Sequence, residues 1–136
     1  MACFFPWKWE EGEFDEKDLI FCSNELNAFL NESKENGFDR LNVIAVGYSN
    51  GANIAANLLI HYADALRVAI IHHPMVPRRG IDLPDLTGIP VFITTGKNDP
   101  VCPSKESEEL EELLVGTGAM TEVPCKMNGH SLTRMK

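Results

Sequence analysis

Apolar and polar residues alternate along the chain in a way that predicts both helices and strands. Residues 15–36 repeat apolar side chains at helical spacing, and Gly37 follows where a helix commonly ends. Four short and mostly apolar runs are typical of strands buried in a parallel sheet. They cover residues 41–46, 67–72, 90–95 and 120–125. Between them we predict helices over 50–62 and 104–115, and a loop rich in proline and glycine over 73–88.

This order of elements predicts an α/β fold with a parallel sheet of about four strands flanked by helices. A length of 136 residues fits one domain, residues 1–136, and a hydrophobic fraction of 44% is enough for a core. We expect the strands to lie side by side in sequence order, with the first strand at an edge.

Charge and hydropathy exclude several function classes. A net charge of -8 argues against nucleic acid or an anionic membrane as partner, because both need a basic surface. No apolar run is long enough for a membrane span, and the first residues lack the pattern of a signal peptide, so we expect a cytoplasmic protein. The four cysteines are scattered without metal-ligand spacing, so we expect free thiols and no metal site.

A nucleophile elbow follows the first predicted strand. Residues 47–51, Gly-Tyr-Ser-Asn-Gly, have the G-x-S-x-G pattern, which places the serine on a strained turn between a strand and a helix. We expect glycine at 47 and 51 to let the strand and helix pack closely. Ser49 is then the candidate nucleophile, and the backbone N–H of Asn50 is a candidate oxyanion donor.

Two further residues complete a candidate triad. Asp99 follows the third predicted strand and His130 follows the fourth, so both lie on the same rim as Ser49. The order Ser, Asp, His is that of α/β-hydrolases, in which the histidine takes the serine proton and the carboxylate fixes the histidine tautomer. Taken alone, Asp99 is equally well a turn residue and His130 a surface residue.

Other residues near this rim have competing interpretations. His73, Met75 and Val101 are candidates for a substrate pocket, although loop packing explains Met75 equally well. Adjacent strand residues point to opposite faces, so His72 and His73 are weak candidates for a metal site. We expect the arginines at 78 and 79, and the acidic face of the helix at 104–115, to be solvated.

Four motifs together resemble bacterial hydrolases of the phospholipase/carboxylesterase family, in particular those linked to quinone or hydroquinone stress. They are GYSNGAN at 47–53, HHPMVPRR at 72–79, NDPVC at 98–102 and GH at 129–130. The resemblance implies an α/β-hydrolase fold and hydrolysis of a small carboxylic ester or thioester through an acyl-enzyme, without a cofactor.

The chain departs from that family at both ends. Members begin with strands that lead to a His-Gly oxyanion loop, which has no counterpart here, and Lys136 stands where the last helix should begin. We therefore interpret the chain as the C-terminal portion of the fold, with an exposed sheet edge that favours a homo-oligomer. A non-catalytic fragment or pseudo-hydrolase with an incomplete oxyanion hole is the alternative function.

Overall fold

The computed structural model describes residues 16–39, 42–62, 65–96, 104–123 and 125–126. Its helices are α1 (Glu16–Glu35), α2 (Asn50–His61) and α3 (Ser104–Gly116). Its strands are β1 (Ile44–Tyr48), β2 (Val68–His72), β3 (Pro90–Gly96), β4 (Met120–Glu122) and β5 (Cys125–Lys126).

The strands form one parallel sheet in the order β1-β2-β3-β4, as the sequence predicts. Strands β2 and β3 each differ from their predicted bounds by one residue, and β1 begins at Ile44 rather than at residue 41. Two further details differ from prediction. Strand β1 continues to Tyr48, where it pairs with His72, so the first two residues of the elbow belong to the strand. The strand predicted over 120–125 is divided, because β4 pairs with the first residues of β3 and β5 pairs with its last two, Thr95 and Gly96.

The core lies on one face of this sheet. Helix α2 packs on β1 and β2, α3 packs on β3 and β4, and α1 packs against α2. Side chains of all four central elements (α2, β2, β3 and α3) meet in one buried apolar cluster, which removes their surface from water. Its sheet residues include Ala69, Ile71, Val91 and Ile93.

The opposite face of β1 is exposed. Gly47 faces α2, so alternation directs Ile44, Val46 and Tyr48 to the other side of the sheet. Ile44 is 58% exposed and Val46 is 69% exposed. Within the described residues, β1 pairs with β2 alone, so it is an edge strand with an apolar open face.

Helix α1 ends as its sequence predicts. Gly37 has φ of 93°, a left-handed conformation that glycine adopts without a Cβ clash, and the Phe38 N–H donates to the Ser33 carbonyl oxygen. One expectation is wrong here: Cys22, buried on this helix, is disulfide-bonded rather than a free thiol. The expectation rested on cysteine spacing and on an expected cytoplasmic location, and neither indicates which thiols the fold brings together. Its partner's side chain lies outside the described residues.

Candidate active site

Ser49 lies on a strained turn between β1 and α2. Its φ and ψ are 56° and −114°, a conformation that side-chain-bearing residues rarely adopt. The Ser49 N–H donates to the His72 carbonyl oxygen at 2.9 Å, which anchors the turn to β2. Helix α2 begins at the next residue, as predicted, so its first-turn N–H groups and positive dipole end lie beside the serine. Asn50 supplies the first of those N–H groups, and its role as oxyanion donor stays a prediction.

Only one of the two elbow glycines is required by packing. A Cβ on Gly47 would lie 2.5 Å from the Gly51 carbonyl oxygen and 2.7 Å from the Ala52 nitrogen, so any side chain there would collide with the backbone of α2. Among the described residues, a Cβ on Gly51 would meet no atom within 4 Å. The described contacts therefore require glycine at position 47 and not at position 51, because the close approach involves the Gly51 carbonyl group and not its Cα hydrogen.

The strands that precede the other candidate residues end at the same rim as Ser49. Strands β1, β2 and β3 run parallel, and β5 pairs with the last two residues of β3, so all four end on the side where Ser49 lies. The segments that lead to Asp99 and His130 leave the sheet from these adjacent strand ends. Asp99, Val101 and His130 themselves lie outside the described residues, so their contacts stay predictions.

The histidines at the end of β2, His72 and His73, both lie near Tyr48. Alternation does not separate them, because β2 ends at His72 and His73 has φ of 56°. The His73 ring is buried and meets the Tyr48 ring edge to face, with centroids 6.0 Å apart. The His72 Nδ1 lies 2.6 Å from the Thr94 Oγ1. Partial burial, and then the nearby His73, lower the pKa of His72 below its ordinary value, which favours the neutral ring.

Residues 73–77, which we call the 73–77 loop, are buried and held by side chains that the sequence does not single out. The Met75 N–H donates to the Asn53 Oδ1 at 2.7 Å, and the Val76 N–H donates to the Glu106 Oε2 at 2.8 Å. The Ser107 Oγ donates to the Pro74 carbonyl oxygen at 3.3 Å. Met75 and Val76 are thus packed residues of the loop, so the loop-packing interpretation is the one that their burial favours.

The comparison with known proteins decides the family. Residues 15–136 match the dienelactone hydrolase family. The chain belongs to that family. MhqD of Bacillus subtilis (strain 168), a hydrolase by name, is 58% identical over 135 residues, which are 98% of this chain and 67% of that protein.

Solved structures support the same fold for this dienelactone hydrolase family member. A Bacillus cereus carboxylesterase superposes with a TM-score of 0.89 at 56% identity, covering 96% of this chain and 62% of its own. A Mesorhizobium loti carboxylesterase superposes with a TM-score of 0.84 at 26% identity, covering 97% and 63% respectively. The chain has the α/β-hydrolase fold, and it spans about two thirds or slightly less of these relatives.

Charged side chains tie the stretch after the loop to the helices of this family member. Arg79 donates to Glu106 and Glu109 at 2.9–3.1 Å, and these bonds raise its pKa and lower that of Glu109. Arg78 lies 3.6 Å from the Glu16 carboxylate and is largely buried. The expectation of a solvated side chain is therefore wrong for Arg78, which is 18% exposed, and for Glu106, which the Arg79 contact partly covers. It holds for Arg79, whose side chain is 52% exposed.

Three other features were candidates for function: a metal site, a surface groove and a membrane-spanning helix. In the described ranges, no three His, Cys, Asp or Glu side chains form a group that could hold a metal ion. An open groove of about 490 Å³ lies between Leu83, Asp85 and the last turn of α3. It is at the amino ends of the strands, away from Ser49, whereas ligands of parallel sheets bind at the carboxyl ends. None of the described helices combines the length and apolar character needed to cross a bilayer.

Proposed function

We propose that the protein is a serine hydrolase of the carboxylesterase type that cleaves a small carboxylic ester or thioester through an acyl-enzyme. The observation that carries this proposal is the position of Ser49 on a strained turn at the amino end of α2, in a chain of a hydrolase family. Such a turn exposes the serine hydroxyl at the rim of the sheet and aims backbone N–H groups at the atom that becomes negative.

In the proposed reaction, the Ser49 Oγ attacks the carbonyl carbon while His130 accepts the hydroxyl proton. Asp99 holds the histidine in the required tautomer and stabilises the imidazolium that forms. The Asn50 N–H stabilises the negative oxygen of the tetrahedral intermediate. Collapse of that intermediate transfers the proton from His130 to the leaving alcohol or thiol, and water then hydrolyses the acyl-enzyme with His130 as base.

A second candidate function has an observation of its own. The chain covers 62% of the Bacillus cereus carboxylesterase, so more than a third of that protein has no counterpart here. If the missing part supplies the second oxyanion donor, this chain alone is a non-catalytic or weakly active pseudo-hydrolase. Removal of a single oxyanion donor costs about 10²–10³ in rate.

Labelling with a fluorophosphonate probe distinguishes the two functions. We expect the folded chain to be labelled at Ser49, located by mass spectrometry of the peptides, and Ser49→Ala to abolish the label. Ser33→Ala is the matched control, since the Ser33 hydroxyl donates to the Phe29 carbonyl on α1, remote from the rim. We also expect His130→Ala and Asp99→Asn to slow labelling. A folded wild-type chain that takes up no label would instead support the pseudo-hydrolase, and a label on another serine would refute the role of Ser49.

A further inference from the structure

Helix α2 carries two buried asparagines one turn apart, Asn53 and Asn57, among alanine, leucine and isoleucine residues. Asn53 is 0% exposed and Asn57 is 1% exposed. Each makes one side-chain hydrogen bond and leaves one polar atom without a partner, the Nδ2 of Asn53 and the Oδ1 of Asn57. Burying an amide with one hydrogen bond missing costs free energy. We therefore ask which part of the protein each asparagine holds in place.

The two asparagines hold different parts of the protein. The Asn57 Nδ2 donates to the Ser23 Oγ at 2.9 Å, which ties α2 to α1 behind the site. The Asn53 Oδ1 accepts the Met75 N–H, which ties α2 to the 73–77 loop. Asn53 lies one turn after Ser49, and its own N–H makes the first hydrogen bond of the helix, to the Ser49 carbonyl oxygen at 3.1 Å. Of the two, Asn53 is therefore the one that links the nucleophile to the loop.

The same loop is held from the other side by α3. Glu106 and Ser107, in the first turn of α3, bind the Val76 N–H and the Pro74 carbonyl oxygen. Arg79 binds the Glu106 carboxylate at 3.0 Å and orients it. Helix α3 begins only five residues after Asp99, so its first turn follows the segment that carries the candidate acid.

We infer that Asn53 and Glu106 are positioning residues that hold the 73–77 loop between the amino ends of α2 and α3. Through this loop they fix the first turn of α3 relative to Ser49. The inference rests on the proposed function, because it concerns the geometry of the same triad. Catalytic side chains must be held within about 0.5 Å of their productive positions. A displacement of about 1 Å can lower the rate about 10²-fold.

Asn53→Ala and Asn57→Ala form a matched pair for the test. Both remove one buried amide and one hydrogen bond from the same helix, so we expect similar losses of thermal stability. We expect Asn53→Ala to slow fluorophosphonate labelling of Ser49 by about 10-fold or more. We expect Asn57→Ala to slow labelling by no more than about 2-fold. Asn57 bonds Ser23 on α1 and shares no partner with the 73–77 loop, and sites without shared partners act independently. Equal slowing in both variants would overturn the positioning role.

Glu106 provides a second pair that does not depend on Asn53 variants folding. Glu106→Gln keeps an oxygen that can accept the Val76 N–H, and we expect it to label close to the wild-type rate. Glu106→Ala removes that acceptor and should slow labelling by about 10-fold. Glu109→Ala is the control, since Glu109 also binds Arg79 but has no bond to the loop. If Gln fails to rescue, or if Glu109→Ala slows labelling as much as Glu106→Ala, the assignment of Glu106 is wrong.

Hydrogen exchange of the Met75 and Val76 amides gives a readout that needs no activity. We expect Asn53→Ala to accelerate exchange at Met75, Glu106→Ala to accelerate it at Val76, and Asn57→Ala to affect neither. A wild-type chain without label would overturn the proposed function, and exchange alone would then decide whether the loop is held as described. Unchanged exchange in Asn53→Ala and Glu106→Ala would overturn the positioning inference even if Ser49 is labelled.

Discussion

Gly47 shows how the elbow depends on the absence of a single side chain. Its backbone lies so close to Gly51 that a Cβ would come within 2.5 Å of a backbone oxygen. We expect Gly47→Ala to lower the free energy of unfolding by about 1–3 kcal/mol, because a backbone atom of α2 would have to move. Chemical denaturation measures the loss, and labelling of Ser49 should slow with it.

Gly51→Ala is the natural comparison for that substitution. A Cβ there meets no atom of the described part of the chain within 4 Å, and alanine favours a helix over glycine by up to about 1 kcal/mol. We expect its unfolding free energy to stay the same or to rise. Equal losses in the two alanine variants would show that the contact with Gly51 is not what requires a glycine at position 47.

His72 should make the fold sensitive to mild acid. Burial and then the neighbouring His73 lower its pKa in the folded state, so the unfolded chain takes up a proton at a higher pH than the folded one. The stability from the neutral ring is present above the ordinary pKa of about 6.5 and is lost as the pH falls through it toward the lower folded value.

We therefore expect His72→Gln to lose less stability than the wild type on acidification from about pH 7.5 to about pH 5.5. The measurement is the unfolding free energy at each pH. His61→Gln, an exposed position on α2, is the control and should follow the wild type. An identical pH dependence for His72→Gln and wild type would contradict the assignment of this loss to His72.

At the scale of elements, hydrophobic periodicity predicts the helices better than the strand ends. The helices predicted over 15–36, 50–62 and 104–115 differ by one residue from the observed bounds, because each is a long run with a clear stop. Strand β1 extends two residues beyond the predicted end, since pairing with β2 continues through Gly47 and Tyr48. The end of β1 is set by how far β2 runs beside it, and the hydrophobic periodicity of β1 does not contain that information.

The contacts around the elbow could not be predicted for a related reason. The G-x-S-x-G pattern predicts the turn at Ser49, because the five residues of the motif contain both the candidate nucleophile and the glycines beside the turn. The partner of Asn53 is Met75, 22 residues along the chain, and the partner of Glu106 is Val76, 30 residues away. A buried asparagine in an apolar helix indicates that some partner exists, but only the fold identifies it.

The contact between α1 and α2 includes a buried polar pair that can be tested by itself. The Ser23 hydroxyl and the Asn57 amide are both buried and 2.9 Å apart. In a double-mutant cycle with Ser23→Ala and Asn57→Ala, we expect a coupling of about 1 kcal/mol in unfolding free energy. A coupling near zero would show that the apolar surroundings, and not this hydrogen bond, hold α1 in place.

At the scale of the whole molecule, the open face and edge of β1 favour self-association. Val46 is 69% exposed on a strand that, among the described residues, lies at the edge of the sheet. Backbone groups and apolar side chains of such a strand can pair with a second copy. We expect wild type to sediment as a dimer or larger species at micromolar concentration, and Val46→Glu to shift it toward the monomer. Val115→Glu is the control, because Val115 is 54% exposed on α3 and away from the sheet edge. A stable wild-type monomer would contradict this prediction.

Because the chain matches only part of a related carboxylesterase, its activity can be tested with and without the rest of that protein. The chain spans 62% of the Bacillus cereus carboxylesterase, and at 56% identity the shared part should accept the remainder of that protein. We expect a chimaera carrying that remainder to hydrolyse activated aryl esters about 10²–10³ times faster than this chain alone, the range that one oxyanion donor supplies. Ser49→Ala should abolish the gain. If this chain alone already equals the chimaera, a donor within its own residues completes the oxyanion hole. If Ser49→Ala leaves the chimaera active, the nucleophile lies elsewhere.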